Sequence, residues 1–168
     1  MALLKRQVEA LLFSSDEPLS VHRLQAALPD AKPAEIRSAI EEVRSDCADR
    51  SYSLEEIAGG YQLLTRPEHA DTIALLRKSR NERRLSPAAL ETLAIVAYRQ
   101  PVRRADVEAI RGVQSGEILR ALMERGLARI AGRENVPGNP VLYGTTDEFL
   151  KTFGLRSIED LPKPEEIR

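Results

Sequence analysis

Apolar residues recur at helical spacing along residues 8–24, "VEALLFSSDEPLSVHRL", and again along residues 90–107, "LETLAIVAYRQPVRRADV". Both stretches run from an apolar helix through a polar break and Pro-Leu or Pro-Val into a second short helical pattern. The echo continues. "EIRSAIEEV" (35–43) parallels "EILRALMER" (117–125), and "EIAGGYQLLT" (56–65) parallels "RIAG" (129–132) resumed at "VLYGT" (141–145). Each copy then shows a threonine with a glutamate three residues on, Thr65/Glu68 and Thr145/Glu148, the spacing of a capping box that opens a closing helix. Landmarks repeating in order about eighty residues apart indicate two domains of one plan.

Each copy reads as three helices, a two-stranded hairpin and a closing helix, which is the winged-helix plan within an α+β, mainly helical fold class. In the second copy Ser86 caps a helix with Pro87 at its first position, Pro101 breaks the chain, Gly112 ends the second helix, and residues 115–125 form the third. Strands over 127–131 and 141–145 flank "GRENVPGNP", whose Gly, Pro and Asn make a long hairpin loop. The first copy has only "AGG" (58–60) at its tip, so its wing is shorter. The domains expected are 1–78 and 86–156. Charged "RKSRNERRLS" (77–86) supplies a linker over 79–85, and 157–168 a disordered tail.

Within the first helices, apolar positions outnumber what one core needs. Leu4, Val8, Leu11 and Leu12 make the core stripe of the first copy, leaving Leu3, Ala10 and Phe13 on the opposite side. In the second copy Leu90, Leu93, Ala94 and Ala97 make the stripe and leave Ile95 and Val96 outside it. A second apolar face implies something that covers it, either a partner or the neighbouring domain. Leu3, Ala10 and Phe13 are therefore one candidate interaction face. Ile95, Val96, Tyr98, Arg99, Pro101 and Arg103 are the expected grip on another protein, with Arg99 and Arg103 as carboxylate partners around an apolar centre.

Charge refines this without deciding it. The net charge is −1, yet residues 79–133 carry eleven arginines against six acidic residues, a footprint suited to nucleic acid or to a protein interface. The third helix argues against base reading. Ile118, Leu119, Leu122 and Met123 face the core, and Ser115, Gly116, Glu117, Arg120, Ala121 and Glu124 face outward, so two glutamates flank the single arginine offered to a major groove. Arg99, Arg103 and Arg104 leave room for weak, sequence-indifferent phosphate contact, so DNA binding is expected to be at most weak and non-specific.

Chemistry has little footing. His22 and His69 are the only histidines and stand near no nucleophile motif, no Gly-rich phosphate loop follows a strand, and Glu41/Glu42 and Glu55/Glu56 read as solvated charge. Cys47 is a single plain thiol, which excludes an internal disulfide. The expectation is no enzyme, no catalytic residue, no metal and no cofactor. Charges interrupt "MALLKRQVEALLF", so neither a signal peptide nor a membrane span is expected, and the reading is cytoplasmic.

At "LSPAALETLAIVAYRQPVRRADVEAIRGV" and "GLARIAGRENVPGNPVLYGTTDEFLKTFGL" the chain resembles the segregation and condensation protein B family, as it does at "VEALLFSSDEPLS" and "EIAGGYQLLTRPEHA". The resemblance spans roughly residues 5–162 and departs from the family pattern at "QSGE" (114–117). It implies a non-enzymatic subunit of the bacterial condensin, acting in chromosome condensation and segregation. There a structural-maintenance-of-chromosomes ATPase dimer is bridged by a kleisin, segregation and condensation protein A. It also implies tandem winged-helix domains that dimerise chiefly through the first, which makes Leu3, Ala10 and Phe13 the expected homodimer interface, and that hold the kleisin, with nucleoid association through that complex. The alternative is a DNA-binding tandem winged-helix transcriptional regulator.

Overall fold

A computed structural model describes residues 2–76 and 85–163. The chain divides into two units, Met1–Arg80 and Asn81–Arg168, both α+β winged-helix arrangements. Most of the expected 79–85 linker lies outside the described residues.

In the first unit, α1 (Ala2–Ser14), α2 (Val21–Ala27) and α3 (Pro33–Asp46) precede a hairpin of β1 (Tyr52–Ile57) and β2 (Gly60–Thr65), a turn at Pro67–His69 and α4 (Ala70–Leu76). Ser20 caps α2 by accepting the Arg23 N–H at 3.2 Å. Val8, Leu12, Leu24, Ile36, Ile40 and Val43 are fully buried in one cluster, with Leu4 and Leu11 packed at its edge as the α1 stripe predicts. Burying each such side chain is worth about 1.5–3 kcal/mol. The guanidinium of Arg66 closes the C-terminal end of α3, donating to the carbonyls of Arg50 (2.8 Å), Cys47 (3.0 Å) and Ala48 (2.9 Å). These carbonyls belong to the turn that follows the helix, and the cation there sits at the helix's negative end. The hairpin turns on Ala58 and Gly59, both with positive φ, and Gly60 packs so close to Pro18 that an added Cβ would stand 2.9 Å from its carbonyl carbon.

The second unit comprises α5 (Pro87–Arg99), β3 (Val102–Arg103), α6 (Arg104–Arg111), α7 (Gly116–Glu124), β4 (Ala128–Arg133), β5 (Val141–Thr145) and α8 (Asp147–Phe153). Ser86 accepts the Ala89 N–H at 3.2 Å, and Gly112 ends α6 with φ 72°, as the sequence indicates. Its sheet runs in the order β3–β5–β4. The short strand β3 was not expected; it is what the repeated Pro-Leu/Pro-Val landmark builds. Val102 pairs with Tyr143 in this unit, and Leu19 exchanges two 2.9 Å hydrogen bonds with Tyr61 in the first.

Four further expectations are corrected. The buried stripe of α5 is Thr92, Leu93, Val96 and Ala97, whereas Ala94 is exposed and Leu90 nearly half so. A buried threonine disguised that stripe: its hydroxyl donates to the Ala88 carbonyl at 2.8 Å and enters the core satisfied. The capping boxes are not where the threonine–glutamate pairs place them. Thr146 caps α8 by accepting the Phe149 N–H, while Thr145 ends β5 with its N–H and hydroxyl both directed to Gln100 Oε1; Arg66 precedes the Pro67–His69 turn with no side-chain cap. Ser115 is buried, not outward, held by hydrogen bonds to Arg111, Glu108 and Val113. Finally, residues 157–163 of the stretch read as a disordered tail are ordered. A turn at Ile158–Asp160 packs Leu155, Ile158 and Leu161 on the Leu93/Phe149 cluster, and Asp160 chelates Arg156.

Candidate protein-interaction faces

The α1 face of the first unit follows from its periodicity. With Val8 and Leu12 buried, positions 3, 10 and 13 point away from the core: Leu3 is 72% and Phe13 83% exposed, and Ala10 is exposed beside them. A groove of about 520 Å³ lined by Leu3, Leu4, Gln7, Ala27, Leu28, Pro29 and Ala31 together with the carboxylates Asp30 and Glu35 continues this face toward α2 and α3. An ion pair of Lys5 with Asp46 raises the lysine pKa and ties α1 to the end of α3.

In the second unit the sequence-derived grip divides. Val96 is fully buried among Val102, Val107 and Leu119, and Ile95 is half-buried against the same cluster; Val96 is therefore part of the core and not an accessible anchor. Tyr98, Arg99 and Pro101 are exposed, the last following a cis Gln100–Pro101 bond, and the Tyr98 hydroxyl donates to the Pro162 carbonyl at 2.7 Å. Arg103 is committed internally. It grips Asp106 with two hydrogen bonds of 2.8 and 2.9 Å and reaches Glu134 of the wing loop at 3.4 Å, so the Asp106 carboxyl is held below the usual carboxylate range by that guanidinium. Arg104 likewise pairs with Glu108 at 3.5 Å. Of the three arginines considered for phosphate contact, Arg99 alone has no carboxylate partner among the described residues.

Residues the sequence reading missed complete this face. Ala94 and Leu90 lie one and two turns before Tyr98 on the exposed side of α5. The Arg111–Glu91 ion pair, 3.1 Å, brings the last turn of α6 alongside, where Ile110 and Val113 are each more than half exposed. Their signal in the sequence is the 90, 94, 98 spacing, which the apparent core stripe through Leu90 and Ala94 hides. α7 exposes Glu117, Arg120, Ala121 and Glu124 as expected, a mixed-charge surface. Burial pushes the Cys47 thiol pKa up, away from reactivity. Among the described residues, no three His, Cys, Asp or Glu side chains group as a metal site, and no helix is long and apolar enough to cross a membrane.

Residues 6–164 match the family described as "Segregation and condensation complex subunit ScpB". The chain belongs to this family. It is 49% identical to the segregation and condensation protein B of Syntrophotalea carbinolica, over 98% of this chain and 83% of that one. With the protein of the same name from Symbiobacterium thermophilum it shares 45% identity, over 96% and 74%. Among solved structures it is similar to ScpB from Mycobacterium tuberculosis, with 35% identity over 90% of this chain and 95% of that chain and a TM-score of 0.43. A dimer of a ScpB N-terminal domain complexed with ScpA peptide shows 39% identity over 43% of this chain and 91% of that one, with a TM-score of 0.40.

Proposed function

We propose that this ScpB-family chain is a non-enzymatic cytoplasmic subunit of the bacterial condensin, a homodimer that holds the kleisin and through it joins the structural-maintenance-of-chromosomes ATPase at the nucleoid. The observation that carries the reading is the α1 face: Phe13 and Leu3 expose most of their apolar surface on the side of the helix its own core does not use. Such a surface is costly in water and fits a self-complementary contact between two copies. Leu3, Ala10 and Phe13 are thus the proposed dimer interface.

The kleisin grip we assign to α5 and the turn after it, with Leu90, Ala94 and Tyr98 as the apolar centre and Arg99 and Pro101 at its rim. Ile95 supports the helix from below, Val96 belongs to the core, and Arg103 shapes the wing instead of meeting the partner. Sequence-specific DNA reading is disfavoured by Glu117 and Glu124 on either side of Arg120. The test is calorimetry of the intact dimer with the kleisin. Leu90→Glu with Tyr98→Ala should weaken binding by about 2 kcal/mol or more, as for central anchors; unchanged affinity moves the grip off α5.

A further inference from the structure

β4 is the outer strand of the second unit's sheet, so one side of its backbone faces no other strand among the described residues. Which groups point outward follows from its neighbour. The Thr145 N–H goes to Gln100 Oε1 at 2.7 Å, so the Ala128–Thr145 pair is a non-hydrogen-bonded one. Pairs alternate along an antiparallel ladder. Arg129–Gly144 is then the hydrogen-bonded pair and Ile130–Tyr143 the next open one, which directs the Ile130 N–H and C=O away from β5.

The side chains at this edge are unusual for an exposed strand. Residues directly opposite one another share a face, so Ile130 lies on the face of Tyr143, which packs on the Val96/Val107/Leu119 cluster. Ile130 is nevertheless 56% exposed. Past the bulge between Ile130 and Gly132, Arg133 opposes Val141 on that face, while Arg129 opposes Gly144 on the other. Neither arginine has a carboxylate partner among the described residues: Arg129 donates to the Thr145 carbonyl at 2.9 Å and Arg133 to the Asn139 carbonyl at 3.1 Å. β4 itself, "ARIAGR", carries no acid. The edge thus offers an outward backbone donor and acceptor, an apolar contact and one unneutralised cation on each face.

We propose that the β4 edge takes up an extended acidic segment of a partner protein as an added strand, with carboxylates to Arg129 and Arg133 and an apolar side chain on Ile130. A second copy pairing β4 to β4 would set arginine against arginine, which is destabilising. This surface uses none of the α1 or α5 residues assigned above, and the inference stands or falls independently of where the kleisin is held.

The test titrates the full chain into two labelled ten-residue peptides, built on the repeats Glu-Glu-Val-Val and Lys-Lys-Val-Val so that charge and valine fall on both faces of an added strand, followed by fluorescence anisotropy at low salt. The acidic peptide should bind and the basic one should not, and Arg129→Glu with Arg133→Glu should reverse the preference by about tenfold each way. Ile130→Pro, which removes an outward N–H without taking a bond from the ladder, should abolish binding with the melt retained. Binding of neither peptide, equal binding of both, or affinity indifferent to charge reversal overturns the proposal; the arginines and the bulge would then only shield the edge from stray pairing. A fall in the wild-type assembly mass on charge reversal would also overturn it, because the edge would then be filled by an acidic strand of a second copy, such as β1 with Glu55 and Glu56.

Discussion

Phe13→Ala separates the proposed dimer contact from the fold. Phe13 is 83% exposed, so truncating it removes almost nothing from the core of the first unit. If the ring is buried in a dimer, the exposed part is worth about 1.2–2.5 kcal/mol per copy, scaled from the burial of a full side chain. A two-fold interface counts the residue twice, so the dimer should weaken by about 2.5–5 kcal/mol, roughly two to more than three orders of magnitude in its dissociation constant. Sedimentation equilibrium over a range of concentrations reads that change directly. Denaturation must be compared where both proteins are monomeric, since dimerisation itself stabilises; there the two should agree within about 0.5 kcal/mol. Leu12→Ala, one residue away but 2% exposed, should instead cost about 2–5 kcal/mol in the monomer. A Phe13→Ala protein that dimerises as tightly as the parent would refute the reasoning, as would one whose monomer is destabilised.

Val96→Ala should lower stability by about 2 kcal/mol, from two buried methyl groups and the cavity left behind, without affecting kleisin affinity measured on the folded fraction. The pH response of the wing should follow Asp106. Its lowered pKa means the Arg103–Asp106 contribution is intact above about pH 4, the ordinary range of an aspartate, and fades as the pH falls through the lower folded value. Amide exchange of residues 132–140 should accelerate over that acid range, and Asp106→Asn should remove the dependence. Gly60→Ala should destabilise the first unit by about 1–3 kcal/mol, because its Cβ meets the backbone of Pro18 and the Leu19–Tyr61 bridge cannot yield without losing both its hydrogen bonds; a melt unchanged from wild type would show that the bridge adjusts freely.

The plan of three helices and a hairpin was legible because Leu, Ile and Val at helical spacing and Gly/Pro-rich turns act locally, and because the chain states the plan twice. The α1 face was legible for the same reason: bulky residues occupy both sides of that helix, and Val8 with Leu12 leave no doubt which side is inside. α5 was harder. Ala94 has too little apolar area to orient a helix, while Thr92 is polar by composition and apolar by situation once its hydroxyl is bonded to Ala88. The stripe therefore read a step out of phase, with Val96 on the wrong side. The ordered C-terminal turn was missed because Leu155, Ile158 and Leu161 are too sparse to show a period, and their stabilisation comes from a cluster built by residues far away in the chain. The charge run around Arg103 and Arg104 looked available for a ligand; only the structure shows Asp106, Glu108 and Glu134 neutralising it.

The central claim is that this chain is a dimer that grips a kleisin, and mass measurement by light scattering during size-exclusion chromatography tests it most directly. The protein alone should run with the mass of two chains, and adding the kleisin should produce a single heavier species that survives addition of a DNA duplex. A monomer, or a dimer whose mass stays the same with the kleisin and rises only with the duplex, would contradict the account.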